Sequence, residues 1–231
     1  MKNKLNKNLV VKLFILVVLM LCSTMLISCQ KQNALEKNIS ELRQNYYIGK
    51  SENFSLTATS GFIEQPFIND GKVGETLPYL TFTLNNVENL NVTYLIEFTY
   101  NEQEYSNYFE KTPTTNKQSV TFNIKNFNTT SFNVNISVAS IKEQVQLNSI
   151  LTSENLNYIN ALSFFEKAQK TYLESLVDQN GNYKFELSLK LMLKNEKAYW
   201  YVGIMTGNKH IKALLLDGTT GDILAIREIF D

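Results

Sequence analysis

The sequence predicts an α+β fold in two parts, an all-β sandwich followed by a helix packed on a four-stranded antiparallel sheet. Between residues 53 and 138 apolar and polar side chains alternate with a period of two, which is typical of strands with one buried face. Apolar residues in 158–176 recur every three or four positions, as along one face of a helix. Residues 183–230 return to alternation interrupted by short turns. We therefore place a β-sandwich domain at 51–150 and an α+β domain at 151–231.

The N-terminus has the organisation of an export signal. Four lysines precede an apolar run over residues 13–27. This run is shorter than the roughly 20 residues that a membrane-spanning helix needs, and its length suits the core of a signal peptide. We therefore predict a signal peptide at 1–28 that is removed from the mature protein.

The segment Leu26-Ile27-Ser28-Cys29 closes the apolar run and resembles the lipobox of bacterial lipoproteins. The resemblance implies that Cys29 is acylated with lipid and becomes the first residue of the mature chain. The protein would then stay on the extracytoplasmic side of the bacterial cell membrane. Cys22 is the competing cysteine, but the residue before it, Leu21, is bulky where a processing site requires a small residue. The alternatives are an uncleaved anchor helix and a cysteine that stands there by coincidence.

Residues 29–50 are predicted to form a lipidated tether that contains a short helix. Leu35, Ile39, Leu42 and Tyr46 are spaced by four, three and four residues, which makes one stripe of a helix. We expect this helix to contact the first domain, and the alternative is a helix that binds a partner.

The predicted sandwich contains at least five strands. Their apolar positions have even numbers, and turn residues separate them. The runs with this alternation cover residues 54–58, 80–84, 92–100, 120–124 and 132–138. At residues 139–140 the apolar positions change from even to odd numbers, which predicts a β-bulge in a long strand that leaves the domain.

The second domain begins with a helix. Thr152 or Ser153 is predicted to cap it, and the apolar stripe continues to the turn at Gly181. Four strands follow, and the turns between them are short enough to require hairpins. These turns lie at residues 195–196, 207–208 and 217–221. The economical arrangement is one helix laid across a four-stranded meander.

Three segments of the second domain carry a resemblance to a known family. They are Tyr199-Trp200-Tyr201-Val202, Ala213-Leu214-Leu215-Leu216-Asp217 and Thr220-Gly221-Asp222-Ile223-Leu224. In this order they resemble the aromatic strand, the apolar strand ending in Asp, and the Thr-Gly turn of PepSY-like domains. The resemblance implies a role in binding or restraining other proteins, peptidases in particular. The first domain resembles immunoglobulin-like sandwiches in architecture only, and a shared architecture implies no activity.

Charge and motifs argue against several classes of function. The chain has 22 basic and 22 acidic residues, and loss of the four leader lysines leaves 18 against 22, so nucleic acid is not an expected partner. His210 is the single histidine, and one histidine without a free cysteine makes no usual zinc site. Asp217 and Asp222 offer calcium ligands, but a hairpin turn explains their spacing better. We therefore expect no catalytic site, no metal and no cofactor.

An enzyme is the third hypothesis for this sequence. It requires carboxylates from separate strands to meet in the fold. Sequence alone does not exclude Glu64, Glu97 and Glu186 from such a site.

Two stretches are candidate binding surfaces. Trp200 shares a strand face with apolar residues and is expected in the core, which leaves Tyr199 and Tyr201 on the face away from the helix. Ordinary cross-strand packing of these tyrosines is the alternative. Phe62 and Phe67 lie in an apolar segment around a proline in a predicted loop. If this segment is exposed, it would form a docking patch. If it folds back onto the domain, it would cap the sandwich.

Together these features predict a membrane-anchored, non-catalytic lipoprotein that binds or regulates another protein of the cell envelope. The rival hypothesis is a lipoprotein that binds a small ligand or the cell wall in a cleft between its domains. A flat surface would favour the first hypothesis, and a deep aromatic-lined cleft with convergent polar groups would favour the second.

Overall fold

The computed structural model describes residues 35–68, 70–85, 92–111, 117–207 and 211–229. They form thirteen strands, two α-helices and one 3₁₀ turn at Glu36–Asn38. The strands are β1 (Ile39–Lys50), β2 (Ser55–Glu64), β3 (Thr76–Asn85), β4 (Leu95–Tyr100), β5 (Gln103–Tyr108), β6 (Glu110–Lys111), β7 (Gln118–Phe122), β8 (Ser131–Val138), β9 (Ile141–Ser149), β10 (Glu186–Lys194), β11 (Lys197–Met205), β12 (Ile211–Asp217) and β13 (Ile223–Ile229). The helices are α1 (Tyr158–Ala168) and α2 (Lys170–Ser175).

A single sheet contains all thirteen described strands. Nine of them follow the order β6-β7-β3-β2-β1-β9-β8-β4-β5, in which β9 pairs with the end of β1 at Tyr47 and Ile48. The other four, β10 to β13, are consecutive hairpins that join the sheet at the start of β1. The β1–β10 pair is parallel, whereas the other pairs of described strands are antiparallel. Both parts of the sheet therefore meet on β1.

Two apolar clusters fill the fold, and β1 contributes to both of them. The first cluster is enclosed by β1 to β9 and includes Tyr47 and Phe82, which are fully buried. The second is formed by β10 to β12, the helices and the start of β1, and it includes Leu42, Leu189 and Trp200. Burying one large apolar side chain contributes about 1.5–3 kcal/mol. The hydrophobic effect therefore holds the two ends of β1 in different cores.

The tether helix predicted within 29–50 is wrong in the part that the structure describes, because a single 3₁₀ turn at Glu36–Asn38 is followed by strand β1 over Ile39–Lys50. The strand has two register irregularities, at residues 39–41 against β10 and at residues 43–45 against β2. Each extra residue moves the buried positions from odd to even numbers or back. Buried Ile39 and Leu42 are consequently three residues apart, so a bulged strand has the spacing of a helical stripe.

The helical part of the second half is shorter than predicted and is divided. Asn157, rather than Thr152 or Ser153, caps α1, because its side chain accepts a hydrogen bond of 2.9 Å from the amide of Asn160. The helix ends at Ala168, and α2 adds only six residues. Three side chains of α1 are buried in the second cluster: Ala161, Leu162 and Phe165.

The predicted fold class is wrong. Strands account for 57% of the described chain, only two short helices accompany them, and the sheet has thirteen strands. The four C-terminal strands do not form a separate sheet beneath a helix, because β10 continues through β1 into the rest of the sheet. This mainly β arrangement differs from the helix on four strands that the PepSY resemblance implies.

A hairpin replaces the bulge predicted at residues 139–140. Val138 pairs with Ile141, and Ala139 has a positive φ of 49°, so the chain reverses within two residues. The reversal explains why the apolar positions change from even to odd numbers. The residues from Leu35 onward form one compact unit, and the domain boundary near residue 150 stays a prediction.

Candidate functional site

The two tyrosines predicted as a binding surface lie on β11, on either side of Trp200. Successive side chains of a strand point to opposite faces. Trp200 is fully buried in the second cluster, and its indole Nε1 donates to the carbonyl oxygen of Leu156 at 3.0 Å. Tyr199 and Tyr201 are half-buried. Because α1 packs in the cluster of Trp200, the tyrosines lie on the face of the sheet away from the helix.

This face continues across neighbouring strands. The register places Lys190, Tyr201 and Leu215 side by side on β10, β11 and β12, and Met192 beside Tyr199. Met192 is 38% exposed, and the other four side chains are half-exposed. We call these five residues the tyrosine face. They present aromatic and apolar atoms on a rigid sheet, which is the composition that favours protein contact.

One side of the tyrosine face is polar. The ammonium of Lys190 lies 2.6 Å from the carboxylate of Glu41 on β1, and the Ser188 hydroxyl donates to the same carboxylate at 2.8 Å. Burial raises the pKa of the Tyr201 phenol, the Glu41 charge raises it further, and Arg227 opposes the shift. The Tyr201 hydroxyl therefore stays protonated at neutral pH and can both donate and accept a hydrogen bond.

Gly203 positions the Tyr201 ring. The two residues are two apart on β11 and therefore point to the same face. A Cβ atom on Gly203 would lie 3.0 Å from the Tyr201 hydroxyl oxygen. The ring thus occupies the space that a larger residue at position 203 would fill, and it lies along its own strand.

Phe62 and Phe67 do not join the tyrosine face. Phe62 pairs with Leu42 across β1 and β2 and packs against the second cluster, which is the core side of the sheet. Phe67 follows β2 in the loop to β3 and is 50% exposed, next to exposed Ile68. The four predicted residues are therefore distributed over three environments.

A cleft of about 410 Å³ opens beside Phe62. Its apolar walls include Phe62, Phe127 and Tyr158, and its polar walls include Lys125. The loop that carries Phe127 is held in place by a hydrogen bond. The buried Asn45 side chain donates to the carbonyl oxygen of Phe127 at 2.9 Å. The cleft thus has a firm wall and one cationic group at its rim.

The fold places two of the three candidate glutamates, Glu64 and Glu186, against the same loop, whose Gly74 and Gly71 amides donate to them. Glu64 at the end of β2 is 3% exposed, and Glu186 at the start of β10 is fully buried. Burial raises the pKa of the Glu186 carboxyl, and the nearby Glu64 carboxylate raises it further. Glu97 lies apart from them on β4, where it forms an exposed ion pair of 2.8 Å with Lys142. Sequence reasoning named these residues without indicating that the first two would hold the same loop.

In the turn between β12 and β13, the Asp217 side chain forms hydrogen bonds within the turn itself. The Asp217 carboxylate accepts hydrogen bonds of 2.8 and 2.9 Å from the amides of Thr219 and Thr220. Within the described ranges, no group of three or more His, Cys, Asp or Glu residues is arranged to hold a metal ion. The helices of the described ranges are also too short or too polar to cross a membrane. Cys29 and His210 lie outside the described residues.

No protein family matches this chain, and no curated protein sequence or solved structure is significantly similar to it.

Proposed function

We propose that the protein is a lipid-anchored, non-catalytic binding protein on the extracytoplasmic side of a bacterial membrane and that the tyrosine face contacts a protein partner. The observation that carries this proposal is the row of exposed Met192 and half-exposed Tyr199, Tyr201 and Leu215 beside the Lys190 ion pair. Tyrosine is enriched at interfaces because it combines a large apolar ring with a polar end and loses little conformational entropy. The sheet fixes these side chains before binding, which reduces the entropic cost of association.

The anchoring part of the proposal depends on Cys29. Two acyl chains contribute roughly 0.8 kcal/mol for each buried methylene group, which is enough for stable attachment to a membrane. Metabolic labelling with a radioactive fatty acid tests it directly. We expect the label on the wild-type protein and on a Cys22→Ser variant, and its loss from a Cys29→Ser variant. Equal labelling of the Cys29→Ser variant would contradict lipidation at this residue.

The contact part of the proposal is tested by retention from a detergent extract of the cell envelope. The immobilised wild-type protein is compared with a Tyr199→Ser/Tyr201→Ser variant, and Tyr108→Ser is the matched control because Tyr108 is a 57% exposed strand tyrosine on β5. We expect one protein to be retained by the wild type and the control and lost from the double variant. Equal retention by all three proteins would exclude the tyrosine face as the contact.

A small-ligand function is the second candidate, and the cleft beside Phe62 favours it. Three aromatic walls and the exposed Lys125 suit a ligand with an apolar ring and a negative charge. A ligand that binds only the native state raises the melting temperature. We expect aromatic carboxylic acids to raise it more than their neutral amides do, and Lys125→Gln to remove the difference. The same response to acids and amides would argue against a ligand selected by this lysine.

A further inference from the structure

The loop between β2 and β3 presents an apolar tip to solvent. The residues from Gln65 to Ile68 are all exposed, and the side chains of Phe67 and Ile68 are 50% and 56% exposed. Water is an unfavourable environment for two neighbouring large apolar side chains. The tip is therefore a candidate contact for another apolar surface.

The base of this loop is fixed to the sheet. The Gly71 amide donates to Oε1 of the buried Glu186 at 3.1 Å. The amide of Gln65 donates to the carbonyl oxygen of Glu75 at 3.0 Å and closes the loop. The tip is thus held in position before it makes any contact, which reduces the entropic cost of that contact.

The loop lies at the end of the sheet where the chain enters the fold. Because β2 is antiparallel to β1, Ile63 near the end of β2 pairs with Glu41 near the start of β1. Asn38, which directly precedes β1, donates to the carbonyl oxygen of Phe185 at 2.9 Å. A Cβ atom on Gly71 would lie 3.2 Å from the carbonyl oxygen of the residue before Phe185. The loop and the start of β1 therefore contact the same short segment ahead of β10.

The predicted lipid anchor is close to this end of the sheet along the chain. Leu35 is the first described residue, and its side chain is fully buried. Six peptide units connect Leu35 to Cys29, and they span at most about 22 Å. A lipid on Cys29 would therefore keep the start of β1, and with it the β2–β3 loop, near the membrane surface.

We propose that the β2–β3 loop is a second membrane contact, in which Phe67 and Ile68 insert into the lipid interface beside the Cys29 anchor. This inference rests on the proposed lipidation of Cys29. The apolar side chains of interfacial segments reach about 5–10 Å into the boundary between headgroups and acyl chains. Two attachment points, the anchor and the loop, would fix the orientation of the sheet on the membrane.

The charges of the loop indicate which lipids it contacts. Its charged residues are Asp70, Lys72 and Glu75, all exposed, so one cation stands against two anions. Attraction to anionic headgroups requires a cluster of basic residues. The contact should therefore depend on apolar burial and change little when phosphatidylglycerol is added to phosphatidylcholine.

Quenching of a fluorescent label by spin-labelled lipids tests this contact. The lipidated protein with Ile68→Cys carries a polarity-sensitive label at residue 68 and is reconstituted into phosphatidylcholine vesicles. Ile141→Cys is the matched control, because Ile141 is 42% exposed and begins β9, which pairs with the opposite end of β1. We expect a spin label near the headgroup to quench residue 68 more than one at the end of the acyl chain, and neither to quench residue 141. Adding Phe67→Ser should reduce the quenching at residue 68.

Flotation of the protein with the vesicles separates this inference from the anchoring. A protein that floats but shows equal quenching at residues 68 and 141 would overturn the loop contact and leave the anchor in place. A protein that does not float would overturn both. Quenching that requires phosphatidylglycerol would overturn the apolar contact, since charge would then determine binding. A label at residue 68 that leaves water only after an envelope extract is added would also overturn it, and would assign the tip to a protein partner.

Discussion

Replacing Leu189 with alanine is expected to destabilise both apolar clusters, although the side chain belongs to only one. Leu189 is fully buried on β10, where it pairs with Leu42 of β1 and with Val202 of β11. A buried leucine replaced by alanine costs about 2–5 kcal/mol. With a central value of about 3 kcal/mol, the melting temperature should fall by roughly 6–12 °C for a unit of this size.

Two probes distinguish destabilisation of both clusters from independent unfolding of the second cluster. Fluorescence of Trp200, the single tryptophan, reports on the second cluster, and hydrogen exchange of the β8 amides reports on the first. Because β1 is shared, we expect the unfolding free energy measured by each probe to fall by the same amount. For the β8 amides, this fall corresponds to about a hundredfold loss of protection against exchange. Leu224→Ala, at a position that is 51% exposed, is the control and should change little. A shift of the Trp200 transition with unchanged β8 protection would show that the two clusters unfold independently.

Three other substitutions test local parts of the structure. Gly221→Ala should lower the melting temperature more than Gly181→Ala, because both positions have positive φ (77° and 80°) but a Cβ at 221 would approach Phe164 to 2.5 Å, whereas one at 181 meets nothing within 4 Å. Asn45→Ala should cost about 0.5–1.5 kcal/mol in chemical denaturation, because the Phe127 carbonyl oxygen in the β7–β8 loop loses the Asn45 donor and keeps the Ser60 hydroxyl, which donates to it at 3.2 Å. Hydrogen bonds from the turn amides lower the pKa of the Asp217 carboxyl below its ordinary 3.8. The carboxylate therefore stabilises the fold above pH 3.8, and this stabilisation is lost as the pH falls. Asp217→Asn should make the melting temperature depend less on pH between about pH 2 and pH 5.

The contrary results are equally specific. Equal melting temperatures for the two glycine variants would show that the helix tolerates a methyl group at the β12–β13 turn. An unfolding free energy unchanged by Asn45→Ala would show that the Ser60 hydroxyl alone is a sufficient donor to the Phe127 carbonyl oxygen. An unchanged acid limb in Asp217→Asn would show that other carboxylates control the stability below pH 3.8.

Local sequence patterns predicted strand positions well, because alternation is a property of each strand alone. The runs at 80–84 and 132–138 lie within β3 and β8, and the alternation around Trp200 correctly placed that side chain in the core. Hairpin pairs such as Met192 with Tyr199 also follow from sequence, since the turn at residues 195–196 fixes their register.

The arrangement of the strands in the sheet could not be predicted from such local patterns. The fold class depends on β1, whose pairs with β9 and β10 join residues a hundred or more positions apart. Its two bulges also give its buried residues the spacing of a helical stripe, which led to the wrong prediction of a helix. The shared loop contact of Glu64 and Glu186 was hidden for a related reason: both residues were named, but their partners are backbone amides of a loop, which have no sequence signature.

The most direct measurement of the central claim is site-specific cross-linking in intact cells. A photoreactive phenylalanine analogue placed at Tyr199 samples the tyrosine face, and the same analogue at Tyr108 samples an exposed strand elsewhere on the protein. We predict a discrete cross-linked protein from position 199 in the membrane fraction, its loss when Tyr201→Ser is added, and none from position 108. The same adducts from both positions, or none from position 199 while the protein remains folded and membrane-bound, would contradict the claim that this face binds a protein partner.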